Sequence, residues 1–131
     1  MIYGIGTDIC EILRITRVYE RHADRFPERI LGSDEYLVYQ ARQQKVAQRG
    51  VKYLATRFAA KEAFSKAIGT GIRLPMTWRD CEILSEPSGK PCIKLHNELE
   101  ALFEKNRLKA HVSITDEVTF VMAFVVVEYI E

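Results

Sequence analysis

The sequence predicts an α+β fold in which a small antiparallel sheet packs on a long central helix. Three observations carry that prediction. Residues 51–68 follow a helical pattern that is nearly apolar all round, the mark of a helix enclosed by its own protein. Two apolar segments, 110–115 and 118–130, are separated only by Asp116-Glu117, as in a hairpin. A third apolar run occupies residues 2–9, with Gly4 and Gly6 where a strand needs another backbone close by. With 131 residues, the chain reads as one domain, 1–131, long enough to bury a core.

The elements follow in order. After the strand at 2–9, Ile12 to about His22 has a helical pattern, and Pro27 opens a short turn or helix through Ile30. Gly32-Ser33 interrupts it. Ser33 is the expected N-cap of the next helix, with Asp34 and Glu35 in a first turn that favours acids. That helix runs to about Gln44, and residues 45–50 read as a mobile basic loop. The central helix ends at Gly69-Thr70-Gly71, because glycine accepts the left-handed backbone that stops a helix. Residues 79–85 and 91–95 read as strands joined by the turn Glu86-Pro87-Ser88-Gly89-Lys90. Leu95, Leu99, Leu102 and Phe103 then share one face of another helix. The last strand is apolar on both faces, so it belongs in the middle of the sheet or in a subunit interface.

Composition excludes several classes. Nineteen basic and 18 acidic residues leave a formal charge of +1, so no global field selects nucleic acid or a membrane surface. Cys10, Cys81 and Cys92 are an odd count without CxxC spacing, which fits a reducing compartment rather than a disulfide framework or structural zinc. No signal-peptide pattern is visible, and the run Val118–Val127 falls short of the roughly 20 residues that span a bilayer as a helix. The reading is a soluble, cytoplasmic protein.

The chemistry concentrates in Arg57-Phe58-Ala59-Ala60-Lys61-Glu62-Ala63-Phe64-Ser65-Lys66. A helical wheel places Glu62 among Val51, Ala55, Phe58 and Ala59, with Lys66 one turn on. A carboxylate facing an apolar side must be paired, hydrogen-bonded or metal-bound. Asp8, at the end of the first apolar run, is a second acid for the same place. Together they suit magnesium, which binds through one or two carboxylates plus substrate phosphates. The alternative is that Asp8 caps a turn and Glu62 pairs with Lys66. Arg57, Lys61 and Lys66 would neutralise a polyphosphate beside such an ion, or form a solvated edge. Arg14, Arg17, Arg21, Arg25 and Arg29 recur at spacings of three and four, a continuous stripe if the helix persists, with Val18 and Phe26 beside it. That composition suits an acidic protein helix or local pairing with Glu20, Asp24 and Glu28.

Gly4-Ile5-Gly6-Thr7-Asp8-Ile9, the segment from Arg57 to Gly71, Gly89-Lys90-Pro91 and His111-Val112-Ser113-Ile114 together resemble the holo-acyl carrier protein synthase family of 4′-phosphopantetheinyl transferases. The likeness spans nearly the whole chain, and the helical motif is its most specific part. It implies magnesium-dependent transfer of 4′-phosphopantetheine from coenzyme A to a serine of apo-acyl carrier protein, releasing adenosine 3′,5′-bisphosphate and readying the carrier for fatty acid biosynthesis. By motif position, Asp8 and Glu62 would ligate magnesium and Lys66 would contact the phosphate under attack. Arg57 and Lys61 would hold the nucleotide, and Gly89, Lys90 and Pro91 would line its adenine side. Glu62 is the candidate acceptor of the serine proton. Arg14, Arg17, Val18, Arg21, Arg25 and Phe26 would receive the carrier. The resemblance further implies a homotrimer with active sites between subunits. Two positions depart from the family: Asp116 stands where many members carry His, and Cys10 where larger relatives place a third acid. Rival readings are a magnesium-dependent nucleotide pyrophosphatase and a non-enzymatic adaptor for acidic helices.

Overall fold

The computed structural model describes residues 1–131. Strand β1 (Ile2–Glu11) leads into helix α1 (Ile12–His22), followed by α2 (Arg25–Ile30), α3 (Ser33–Lys45) and the long α4 (Ala47–Ile68). Strands β2 (Cys81–Ser85) and β3 (Pro91–Leu95) form a hairpin. Helix α5 (Asn97–Lys105) and strands β4 (Leu108–Asp116) and β5 (Phe120–Tyr129) complete the chain. The architecture is α+β, as expected, with two antiparallel sheets where one was expected. One has the order β1-β5-β4 and the other is β2-β3 alone.

The doubly apolar β5 takes the central position. Its inward residues Val121, Ala123, Val125 and Val127 are buried in the core, whereas Phe120, Met122 and Phe124 alternate outward and stay exposed. Helix α4 lies against the inner face, presenting Ala59, Ala60, Ala63 and Ala67 where close approach is needed. Gly4 and Gly6 make that approach possible. A Cβ at Gly4 would overlap the carbonyl of Ala67, and one at Gly6 the carbonyl of Ala63. Gly69 stops α4 at φ 84°, its N–H donating to the Ser65 and Lys66 carbonyls.

Three local expectations need correction. Residues 47–50 form the first turn of α4, so the basic loop shrinks to Val46. Gly50 is buried there against Tyr39 and Gln43, and that packing holds the helix start. Ser33 is not the N-cap of α3; Gly32 is, and a distant acid supplies the cap. Glu82 on β2 accepts from the N–H groups of Asp34 and Glu35, both at 3.0 Å, while Glu35 reaches back to the Gly32 N–H at 2.9 Å. A side chain at Gly32 would collide with Glu82. Finally, the arginine-bearing helix does not persist. Ala23 adopts φ 50° after α1 and turns the chain into α2.

Candidate active site

The glycine-mediated contact of β1 with α4 brings the Asp8 end of the strand to the Glu62–Lys66 turn of the helix. The Lys66 ammonium donates to the Thr7 carbonyl at 2.8 Å and lies 3.3 Å from Asp8 Oδ1. Glu62 is half-buried, and burial pushes its carboxyl above the usual range. The Asp8 charge pushes the same way, while Lys66 and Arg14 oppose both. Two acids far apart in sequence are thus close enough to repel. Like charges held together, with only the solvent-facing Lys66 and Arg14 against them, form a site that gains from a cation.

The donor set fits magnesium. Asp8 and Glu62 offer hard carboxylate oxygens. No group of three or more His, Cys, Asp or Glu side chains gathers anywhere as a soft or closed cage. Cys10, where a third acid would stand, is buried, and burial raises its thiol to about 11, so it stays protonated at neutral pH and does not act as a thiolate ligand.

Lys61 is not where the motif suggested. Its side chain is fully buried, and its ammonium donates to Glu35 Oε1 at 2.6 Å, to the Trp78 carbonyl at 2.7 Å and to the Ile30 carbonyl. These partners belong to α3, the segment before β2, and the end of α2. Lys61 therefore ties the core together and cannot reach a nucleotide. Burial raises the Glu35 carboxyl, opposed by Lys61 and by the N–H groups of Ile83 and Gly32.

Arg57 lies elsewhere again. Five residues before Glu62, it projects about 140° away around α4 and about 7.5 Å along its axis. Its guanidinium donates to the Ile83 carbonyl at 3.0 Å and to Thr56 Oγ1 at 3.1 Å, and burial lowers its pKa. It borders a cavity of about 590 Å³ with Arg42, Arg49, Lys52, Tyr53, Gly89, Pro91 and Asp116. Asp116 Oδ1 is 3.8 Å from Lys52 Nζ. Gly89 and Pro91 thus line the same cavity as Arg57, whereas Lys90 lines a larger groove among Ile93, Leu95, Phe103 and Val112, which it shares with Pro91 alone of the candidate residues. Arg42, Arg49, Lys52 and Tyr53 escaped the sequence reading. Their signal was present: Arg49, Lys52, Tyr53, Thr56 and Arg57 follow helical spacing along one face, hidden by reading 45–50 as a loop.

One copy of the chain therefore holds two separate constellations. The acids and Lys66 lie at β1, on one edge of the three-stranded sheet, and the cationic cavity lies by β4, on the other edge. The arginines of α1 and α2 make up a third surface. Arg14, Arg17, Arg21, Arg25 and Arg29 are all exposed, and none lies within ion-pair distance of a carboxylate. Val18 and Phe26 are half-buried between them; Phe26 packs on Phe58, whose ring also carries the Arg14 guanidinium at 5.4 Å.

Comparison with known proteins places this geometry. Residues 4–124 match the model of the 4′-phosphopantetheinyl transferase superfamily. A holo-[acyl-carrier-protein] synthase of Methylibium petroleiphilum is 59% identical over 98% of this chain and 97% of its own. The crystal structure of the Neisseria meningitidis holo-[acyl-carrier-protein] synthase superposes with a TM-score of 0.90 at 42% identity, covering 98% of this chain and 99% of that one. A Bacillus anthracis holo-(acyl-carrier-protein) synthase, solved in complex with CoA (3′,5′-ADP), gives 0.83 at 36% identity and 99% coverage of both. The chain belongs to the 4′-phosphopantetheinyl transferase superfamily and, within it, to the holo-[acyl-carrier-protein] synthases.

Proposed function

We propose that this protein transfers 4′-phosphopantetheine from coenzyme A to a serine of apo-acyl carrier protein, with magnesium held by Asp8 and Glu62. The observation that carries the reading is the convergence of those two acids with Lys66 at one end of α4. The coenzyme A bound in the Bacillus anthracis relative supports the donor. In the reaction, the serine oxygen forms a bond to the phosphorus on the pantetheine side of the diphosphate. The bridging P–O bond breaks, and adenosine 3′,5′-bisphosphate leaves. Phosphoryl transfer asks a protein mainly for positioning and charge. Lys66, steadied by the Thr7 carbonyl and Asp8, presents its ammonium to the phosphate under attack. Glu62 is the group we assign to accept the serine proton, since it is the carboxylate of α4 that lies with Asp8 and Lys66. Magnesium, when bound, supplies charge that stabilises the departing phosphate.

The opposite placement of the acids and the cationic cavity supports a donor shared between subunits. A ring in which the β1 edge of one copy meets the β4 edge of the next completes the site. Such head-to-tail contacts close into a cyclic oligomer, and a homotrimer is our reading. The outer sheet face supports burial there: Ile5 is 61% exposed, Ile9 58%, Met122 50% and Phe124 40%. Unpaired Arg14, Arg17, Arg21 and Arg25, with Val18 and Phe26, would receive the acidic helix of the carrier, and the product serves fatty acid biosynthesis in the cytoplasm. No helix is long and apolar enough to cross a membrane.

The test is incubation with apo-carrier, coenzyme A and magnesium, followed by intact-mass spectrometry. A phosphopantetheine adduct that requires all three components is expected. Coenzyme A cleaved without carrier, and a carrier left unmodified, would overturn the proposal.

A further inference from the structure

Tyr53 carries a buried polar atom that nothing in the protein uses. The residue is only 1% exposed, yet its hydroxyl has no hydrogen-bond partner. An unsatisfied buried hydroxyl is costly, and native proteins rarely keep one without a reason. Phenylalanine would fill the same space without that cost. The ring is gripped by two cations, with the Arg57 guanidinium 4.3 Å and the Arg42 guanidinium 5.0 Å from its centroid. Burial pushes the phenol up to about 12, with the Arg57 guanidinium opposing, so at neutral pH the group keeps its proton and is able to donate it in a hydrogen bond.

The surroundings define what that donor awaits. Tyr53 borders the cavity whose charged lining is Arg42, Arg49, Lys52 and Arg57 against the single carboxylate of Asp116. Guanidinium groups and a hydroxyl converging on one space suit a terminal phosphate monoester, which offers three acceptor oxygens and about two negative charges. A diphosphate awaiting attack belongs with Asp8, Glu62 and Lys66, on the far side of α4. Coenzyme A carries both kinds of group, the second being its 3′-phosphate.

We propose that the Tyr53 hydroxyl is a specificity-determining donor to the 3′-phosphate of the nucleotide, selecting 3′-phosphorylated donors over their dephospho forms. This rests on the transferase reading for the identity of the ligand, though not for the existence of the phosphate site. A hydrogen bond to a charged group supplies enough energy for at least a ten-fold preference.

The experiment compares wild type with Tyr53→Phe in calorimetric titrations with adenosine 3′,5′-bisphosphate and adenosine 5′-monophosphate. Transfer assays with coenzyme A and 3′-dephospho-coenzyme A accompany them. The variant is expected to melt at or above the wild-type temperature without ligand, having lost an orphaned hydroxyl. Its affinity for the bisphosphate should fall about ten-fold while that for the monophosphate holds, and the KM ratio of the two coenzymes should narrow equally. Equal losses for both ligands, or no loss for either, overturn the proposal. If wild type binds the bisphosphate through Tyr53 but never modifies a carrier, the transferase reading falls and the phosphate site stands. If transfer proceeds with unchanged selectivity, the Tyr53 assignment alone falls.

Discussion

Replacing Lys61 by Met tests whether the motif lysine belongs to the core or to the nucleotide. The side chain lengths are similar, so the substitution removes charge with little change of volume. It strands Glu35, whose side chain is fully buried, and leaves the Ile30 and Trp78 carbonyls without their donor. Breaking a buried pair from one side costs about 3–5 kcal/mol, a large part of the 5–15 kcal/mol that typically holds a domain folded. At roughly 2.1 cal/mol/K per residue, 131 residues have an unfolding entropy of roughly 0.28 kcal/mol/K, so Tm should fall by roughly 11–18 °C. Scanning calorimetry and urea titration measure both quantities. Combining Lys61→Met with Glu35→Gln removes the stranded charge and should recover about 1–3 kcal/mol relative to the sum of the single losses. The Gly32 and Ile83 N–H groups bond different oxygens of the Glu35 carboxylate, and an amide offers only one acceptor oxygen, so full recovery is not expected. A Lys61→Met protein that melts like wild type but binds coenzyme A weakly would refute this reasoning and return Lys61 to the nucleotide.

Other outcomes follow from the same geometry. Asp8→Asn and Arg57→Ala should each abolish or severely reduce transfer while keeping the fold by circular dichroism. Mixing the two inactive proteins under subunit exchange should restore part of the activity, because some sites then pair an intact acid half with an intact cationic half; no recovery would count against a shared site. Arg17→Glu with Arg21→Glu should raise the carrier KM at least ten-fold and leave the coenzyme A KM unchanged, with a weaker salt dependence. Glu82 offers a pH test. Burial pushes its carboxyl up, but the Glu35 N–H, His96 and the Asp34 N–H together hold it below the usual value of 4.5. A folded pKa below the unfolded one adds stability that is present above about pH 4.5 and is lost as pH falls through the folded value. Glu82→Gln should therefore be less stable than wild type at pH 7, with the gap closing in acid; a gap that stays constant down to pH 3 would sink the argument.

Much of this protein was legible from residue order because the signals are local. Periodicity and terminal glycines located α4, apolar runs and turn residues located the two hairpins, and a carboxylate on an apolar helix face, with Asp8 ending the first apolar run, pointed to Glu62 and Asp8 as a pair. Composition also identified β5 as a strand needing cover on both faces. The side of α4 that each cation faces was not legible. A helix apolar nearly all round gives a wheel no outside, so Arg57, Lys61 and Lys66 looked equivalent. The packing of α3, β1 and β2 sends Lys61 into the core, Lys66 to Asp8 and Arg57 to Tyr53. The N-cap of α3 was hidden for the same reason, since its acceptor is Glu82, 47 residues beyond Glu35. Local backbone preferences are written in a few consecutive residues, whereas the partner of a buried charge is chosen by whichever segment folds against it.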